Sequence, residues 1–222
     1  MIPLRDTQPS YSTPFVTILL IVVNVFVFLY EVSLDDYTRN AFISTWGMIP
    51  ARFEYTDMLT SMFLHGGWMH LIGNMWFLWI YGDNVEDTLG HWKYLLFYLL
   101  CGLAAAGTHA VTNLDSRIPT VGASGAIAGV MGAYLIKFPH SRILTLVVVF
   151  VFITTVEIPA VLILAYWFLI QLASGMWSVG YSQLSQGGVA WFAHVGGFVA
   201  GVILINVMRT RERYRRRRDL HW

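Results

Sequence analysis

The sequence predicts an all-α membrane protein, a single domain over residues 1–222 built from six helices that each cross a bilayer. Three observations carry that expectation. Of the 222 residues, 56% are apolar and only 12% charged, against about 25% charged in an ordinary soluble domain. Fourteen Lys/Arg and 13 Asp/Glu cannot cover a water-facing surface of this size, which excludes a soluble globular enzyme, a disordered chain and a nucleic-acid reader. Six helices of about 20 residues need roughly 120 positions, and a chain this apolar supplies them. The mean hydropathy of +0.58 agrees.

The first apolar run, Phe15–Tyr30, follows Pro14 and closes at Glu31. No small-x-small cleavage site follows it and its flanking charge is a lone Arg5, so it reads as a retained helix and not a signal peptide. A polar stretch holding Asp35, Asp36, Arg39, Arg52, Glu54 and Asp57 runs to about Thr60. Further spans are expected at Trp68–Tyr81, Trp92–Ala110 and Ser124–Phe138. The run Ile143–Trp177 is too long for one span, and Glu157 and Pro159 interrupt it. Its first part, Ile143–Val156, therefore reads as an interfacial or buried segment, and Ala160–Trp177 as the fifth span. The sixth is Ala190–Met208, followed by a basic tail, 209–222. The single cysteine, Cys101, lies in an apolar run and reads as a packing residue.

Six spans put both termini on one side. Arg5, Lys93, Lys137, Arg142 and the seven arginines of Arg209–Arg218 share that side, 11 of the 14 basic residues; Arg39, Arg52 and Arg117 fall opposite. Lys/Arg-rich flanks stay cytosolic, so both termini are expected there, in a multi-pass protein of a prokaryotic plasma (inner) membrane. The arginine tail reads as a topology anchor on anionic lipid headgroups, with no nucleic acid as partner.

Polar residues inside apolar spans cost free energy unless they pair or work. Three clusters qualify: H-G-G-W-M-H-L-I-G-N with His65, His70 and Asn74; V-G-A-S-G-A with Gly122, Ser124 and Gly125; and A-H-V-G-G with His194. At about 1.5 Å of rise per residue, Ser124 sits roughly 20 Å above Lys137, and His194 roughly 22 Å above Arg209. Asn74 and His70 sit roughly 18 and 24 Å above Glu86 on the same scale. In a core of about 30 Å, all four share one layer some 10 Å below the outer surface.

The residue types suit acyl transfer. A serine hydroxyl needs a base, and His194 is placed to be one. An oxyanion needs donors; His70 and Asn74, one helical turn apart, can aim at one atom, and the Ser124 amide at a helix start adds a third. Gly122 and Gly125 flank the serine and leave room for a substrate backbone, while Trp191 and Phe192 narrow the approach. Two small-residue stripes, Gly125/Ala128/Gly129/Gly132 and Gly197/Gly201, predict close packing of spans four and six. His91, His109, His140 and His221 read as solvated. An H-E-x-x-H metal pattern and paired intramembrane aspartates are both missing, so no metal site and no cofactor is expected. No carboxylate lies within 17 residues of His194, favouring a dyad over a triad.

Together, H-G-G-W-M-H-L-I-G-N, G-A-S-G and A-H-V-G-G-F-V-A-G, in that order between about residues 60 and 208, resemble the rhomboid family of intramembrane serine proteases. The resemblance implies a six-helix rhomboid-like bundle opening to the extracytoplasmic side, and transmembrane proteins as substrates. It implies Ser124 as nucleophile, His194 as base, and His70, Asn74 and the Ser124 amide as oxyanion donors. His65 falls at a supporting position. The stretch from about Glu31 to Thr60 matches the family's first loop. Some members carry an aromatic residue four positions after the nucleophile, stacked on the base; Ala128 stands there here. The competing reading is a catalytically silent rhomboid-like protein that binds membrane clients.

Overall fold

A computed structural model describes residues 2–149, 152–181 and 190–210. A short strand, β1 (Ile2–Asp6), precedes the first apolar helix, α1 (Phe15–Ser33). Two polar helices follow, α2 (Asp36–Trp46) and α3 (Tyr55–Thr60), then α4 (Trp68–Leu89), α5 (His91–Thr112) and α6 (Ser124–Lys137). Strands β2 (Arg142–Val149) and β3 (Phe152–Pro159) lead into α7 (Ala160–Tyr181), and α8 (Trp191–Val207) closes the order. Each of the six expected apolar runs is a helix. By length and composition α1 and α5 are long and apolar enough to cross a membrane, while α6, α8 and the part of α7 up to Met176 are shorter apolar helices.

The all-α expectation holds for the body and fails at Ile143–Val156. That segment is a hairpin, paired from Arg142 with Pro159 to Val149 with Phe152, and β1 adds to β2 to make an antiparallel sheet of order β1-β2-β3. The physical reason is composition. Ile, Val and Thr dominate the segment and are stiff at χ1, which favours the pleated chain over the helix. A continuous apolar run has no period with which to tell the two apart. The prolines fall where a sheet tolerates them: Pro3 on the edge strand and Pro159 at the last position of β3.

Helix α4 runs eight residues past its expected end because its acids are used internally. The buried Glu86 carboxylate accepts bonds from the backbone N–H groups of Val16 and Thr17 and from the Thr17 hydroxyl, each at 2.8 Å. These are the amides that a helix start leaves open. Pro14, the residue preceding α1, makes no side-chain cap of its own. Asp87 accepts from Tyr11 N–H at 3.0 Å and from the Ser12 hydroxyl. His91, expected to be solvated, stands 2.5 Å from Glu86 through Nδ1. Gly90, at φ +82°, turns the chain from α4 into α5. Asp6 on β1 accepts a bond from the Tyr134 hydroxyl of α6, and burial pushes its carboxyl above the ordinary range.

Helix α6 is the centre of the fold: every residue from Gly125 to Tyr134 is buried. A helix buried on all sides needs neighbours at close range, and glycine supplies the room. A Cβ on Gly197 would run into the Gly125 carbonyl oxygen, one on Gly201 into that of Gly129, and one on Gly132 into that of Phe198. The expected packing of the two glycine stripes is therefore backbone against backbone. Cys101, fully buried, fills the space opposite Gly129 as a packing residue.

Candidate active site

Close α6–α8 packing brings the first residue of α6 to the first turn of α8. Ser124 Oγ lies 2.7 Å from His194 Nε2. The serine is half-buried and the histidine only 8% exposed, so the hydroxyl can be reached while the imidazole is held. On its other side His194 Nδ1 stands 2.6 Å from Gln171 Oε1 of α7. The Trp167 ring, one turn earlier on α7, lies 5.7 Å from the imidazole centroid at 37°. Ala128 is buried and offers no ring; the aromatic neighbour of His194 comes from α7 instead.

The loop before Ser124 is tied down at four points. Thr120 and Met48 exchange both backbone bonds, at 2.8 and 3.0 Å. Gly122 N–H donates to Ser61 O at 2.9 Å, and Ala51 N–H to Ser116 O at 2.9 Å. His109 Nε2 stands 2.9 Å from the Thr120 hydroxyl. His109 is thus half-buried and engaged, contrary to its expected solvation; His140 is exposed as expected, and His221 lies outside the described residues.

His70 and Asn74 converge on Gly122. A Cβ there would stand 2.7 Å from His70 Nε2 and 3.6 Å from Asn74 Nδ2, and its φ of +126° suits glycine alone. Gly66 N–H donates to His70 Nδ1 at 3.4 Å, which places the ring proton on Nε2, toward Gly122. Asn74 Nδ2 donates to His65 Nε2 at 3.0 Å, and an amide has a second N–H to give. His65 is fully buried; its own backbone N–H donates to Glu31 of α1 at 3.1 Å. The two flanking glycines do not open onto free space: Gly122 yields to the His70 ring, and the missing Cβ of Gly125 is filled by Ala105 of α5. Trp191 and Phe192 are half-buried at the start of α8, and the Phe192 ring packs on Gly175 of α7. Among the described residues no three His, Cys, Asp or Glu side chains are grouped to hold a metal ion.

The rhomboid-domain family model matches residues 52–211. The chain belongs to the rhomboid family. Rhomboid proteins are integral membrane proteins, so this one is as well. It is 30% identical to mitochondrial Rhomboid protein 1 of Saccharomyces cerevisiae over 66% of its length and 40% of that relative's. It is 31% identical to Rhomboid protease GluP of Bacillus subtilis over 59% of its length and 25% of that relative's. It is 30% identical to chloroplastic Rhomboid-like protein 11 of Arabidopsis thaliana over 78% of its length and 61% of that relative's. The aligned chain thus spans between 25% and 61% of these rhomboids, which come from a bacterium, a mitochondrion and a chloroplast, so family membership alone names no single compartment.

Sequence reasoning missed Gln171 and Trp167 as neighbours of the serine–histidine pair, and His109 as a tie on the loop before Ser124. Gln171 carried a usable signal. It is a polar side chain well inside the apolar run Ala160–Trp177, which is the criterion that singled out Asn74 and His194.

Proposed function

We propose that the chain is an intramembrane serine endopeptidase that cuts transmembrane segments of other proteins through a Ser124–His194 dyad. The observation that carries the reading is the 2.7 Å approach of Ser124 Oγ to His194 Nε2 across α6 and α8, side chains 70 residues apart in sequence. Six helices, α1 and α4 to α8, span the bilayer as one domain, both termini on the Lys/Arg-rich cytosol-equivalent side and the dyad toward the opposite face.

Ser124 Oγ attacks the scissile carbonyl as its proton passes to His194 Nε2. The oxyanion is received by the free N–H of Asn74, by His70 Nε2–H and by the Ser124 amide at the α6 start. His194 then returns the proton to the leaving amine, and water hydrolyses the acyl-enzyme by the same route. The substrate segment must reach the serine extended, because a helical one keeps its carbonyls in intrahelical bonds. Cleavage therefore falls near the dyad-side end of a single span, beside helix-weakening Gly or Pro, with a small residue such as Ala before the bond.

The test is labelling of the detergent-solubilised chain with a fluorophosphonate, alongside cleavage of a single-span substrate. Wild type labels at Ser124 and cleaves; Ser124→Ala and His194→Ala do neither while remaining inserted and folded. A folded wild-type chain that binds a single-span client but neither labels nor cuts it would establish the silent-binder reading instead.

A further inference from the structure

We infer that Gln171 is the third member of the catalytic apparatus, a positioning residue that fixes the tautomer of His194; the inference rests on the proposed Ser124–His194 chemistry. A general base must present an unprotonated nitrogen to the hydroxyl it activates. In neutral imidazole one ring nitrogen carries the proton and the other accepts, and the partner of the first decides which is which. Gln171 presents its carbonyl oxygen, which only accepts, at 2.6 Å from His194 Nδ1. The proton is therefore held on Nδ1, and Nε2 faces the Ser124 hydroxyl with its lone pair. Were the proton on Nε2 instead, Nδ1 would face the Gln171 oxygen as one acceptor against another, and Nε2 would donate to the Ser124 hydroxyl instead of accepting its proton, so the base would be lost.

The surroundings make this bond count. Gln171 is 6% exposed and His194 8%, so water does not compete for Nδ1. The Trp167 ring lies along the imidazole from one turn away on the same helix, restricting rotation about the Cβ–Cγ bond. Both partners of the ring stand on α7, whereas the nucleophile stands on α6 and the base on α8. The base is thus organised by a helix that contributes no reacting atom. A neutral amide also does what an aspartate would do for tautomer and orientation without burying a charge, which in this apolar setting is the costlier solution.

The inference is tested on the full chain in detergent or liposomes with Gln171→Met, which keeps the volume, and Gln171→Glu. Cleavage of a single-span substrate and fluorophosphonate labelling are followed from pH 5 to 9. Gln171→Met lowers kcat and the labelling rate by about 10²-fold, the low end of what general base catalysis contributes, with KM little changed. Gln171→Glu places a carboxylate on Nδ1, favouring the imidazolium, and moves the acid limb of kcat/KM upward by at least about one pH unit. A role in packing alone would leave that limb where it is. In wild type, ¹⁵N-histidine NMR shows His194 protonated on Nδ1 and not on Nε2, a readout needing no variant. A wild-type rate in Gln171→Met, an unmoved limb in Gln171→Glu, or the opposite tautomer overturns the inference. Activity surviving in Ser124→Ala or His194→Ala overturns the dyad itself, a separate outcome.

Discussion

Gly201→Ala is a demanding perturbation because it touches neither the serine nor the histidine. Gly201 lies two turns below His194 on α8, facing Gly129 of α6. A Cβ there would stand 2.6 Å from Gly129 Cα, and closer to its carbonyl oxygen, where ordinary contact begins at 3.4 Å. Neither neighbour is a side chain that could swing away, so the two backbones must part by at least about 0.8 Å, the difference between those distances. Passed up α8 to the dyad, that displacement stretches the 2.7 Å Ser124–His194 contact to about 3.5 Å, the outer limit of a hydrogen bond. Misplacement of reacting groups by about 1 Å costs on the order of 10²-fold in rate, equivalent to about 2.7 kcal/mol of barrier. Overpacking itself costs about 1–3 kcal/mol of stability. The expected result is a chain that inserts and unfolds a few degrees earlier but cleaves about 10²-fold more slowly, measured as kcat/KM on a single-span substrate. Val199→Ala, on the exposed face of the same helix, is the control and keeps its rate. A Gly201→Ala chain that cleaves within twofold of wild type would refute the claim that the glycine contact sets the Ser124–His194 separation.

Asn74→Ala should slow turnover by about 10²–10³-fold, the usual cost of a lost oxyanion donor, with fluorophosphonate labelling still detectable; His65→Ala, which removes the ring that holds the Asn74 amide and packs edge-on against His70, should give a smaller loss in the same assay. Thr120→Val, which deletes the hydroxyl facing His109, should loosen the loop ahead of Ser124, seen as faster protease nicking between residues 113 and 122 together with a reduced labelling rate. Glu86→Ala should lower the thermal midpoint, with a loss of about 1–3 kcal/mol for amides left unsatisfied, and leave the rate per folded molecule unchanged. Asp6 has its carboxyl pKa raised in the fold by burial, so the folded state binds the proton more tightly and stability falls as pH rises from the unfolded value of 3.8 through the raised one. Asp6→Asn should therefore raise the thermal midpoint at pH 8 and leave it nearly unchanged at pH 3.

How much of this was legible before the structure differs by element. Runs of apolar residues located six helices of the described chain, and the expected depth of Ser124, His194, His70 and Asn74 within them put four side chains in one layer. The geometry brings the first pair into contact and turns the second pair on Gly122. Boundaries were less legible. Acids at Glu86 and Asp87 look like a helix end, yet they extend α4, because their partners lie on another segment 70 or more residues away. The hairpin was hidden because strand and helix differ in period, and Ile143–Val156 is apolar nearly throughout. The orientation of His194 was hidden for a third reason: its partners are a glutamine and a tryptophan on a neighbouring helix, and only packing decides that those two meet the ring.

The carboxylate of Glu86 at the head of α1 has a consequence for biogenesis. With α1 spanning the bilayer as proposed, it partitions into the membrane before Glu86 leaves the ribosome, and its first amides wait on headgroups or water for the acceptor they finally use. Until α4 arrives, α1 is free to slide and tilt; once it arrives, one side chain fixes the depth of the first helix against the fourth. Assembly is thus ordered by the chain itself, with insertion first and registration later. A ribosome-stalled nascent chain ending before residue 86 should show α1 accessible to lipid-phase crosslinkers along its whole circumference. A chain stalled well beyond it should lose that access on the face that bears Thr17 and Leu20.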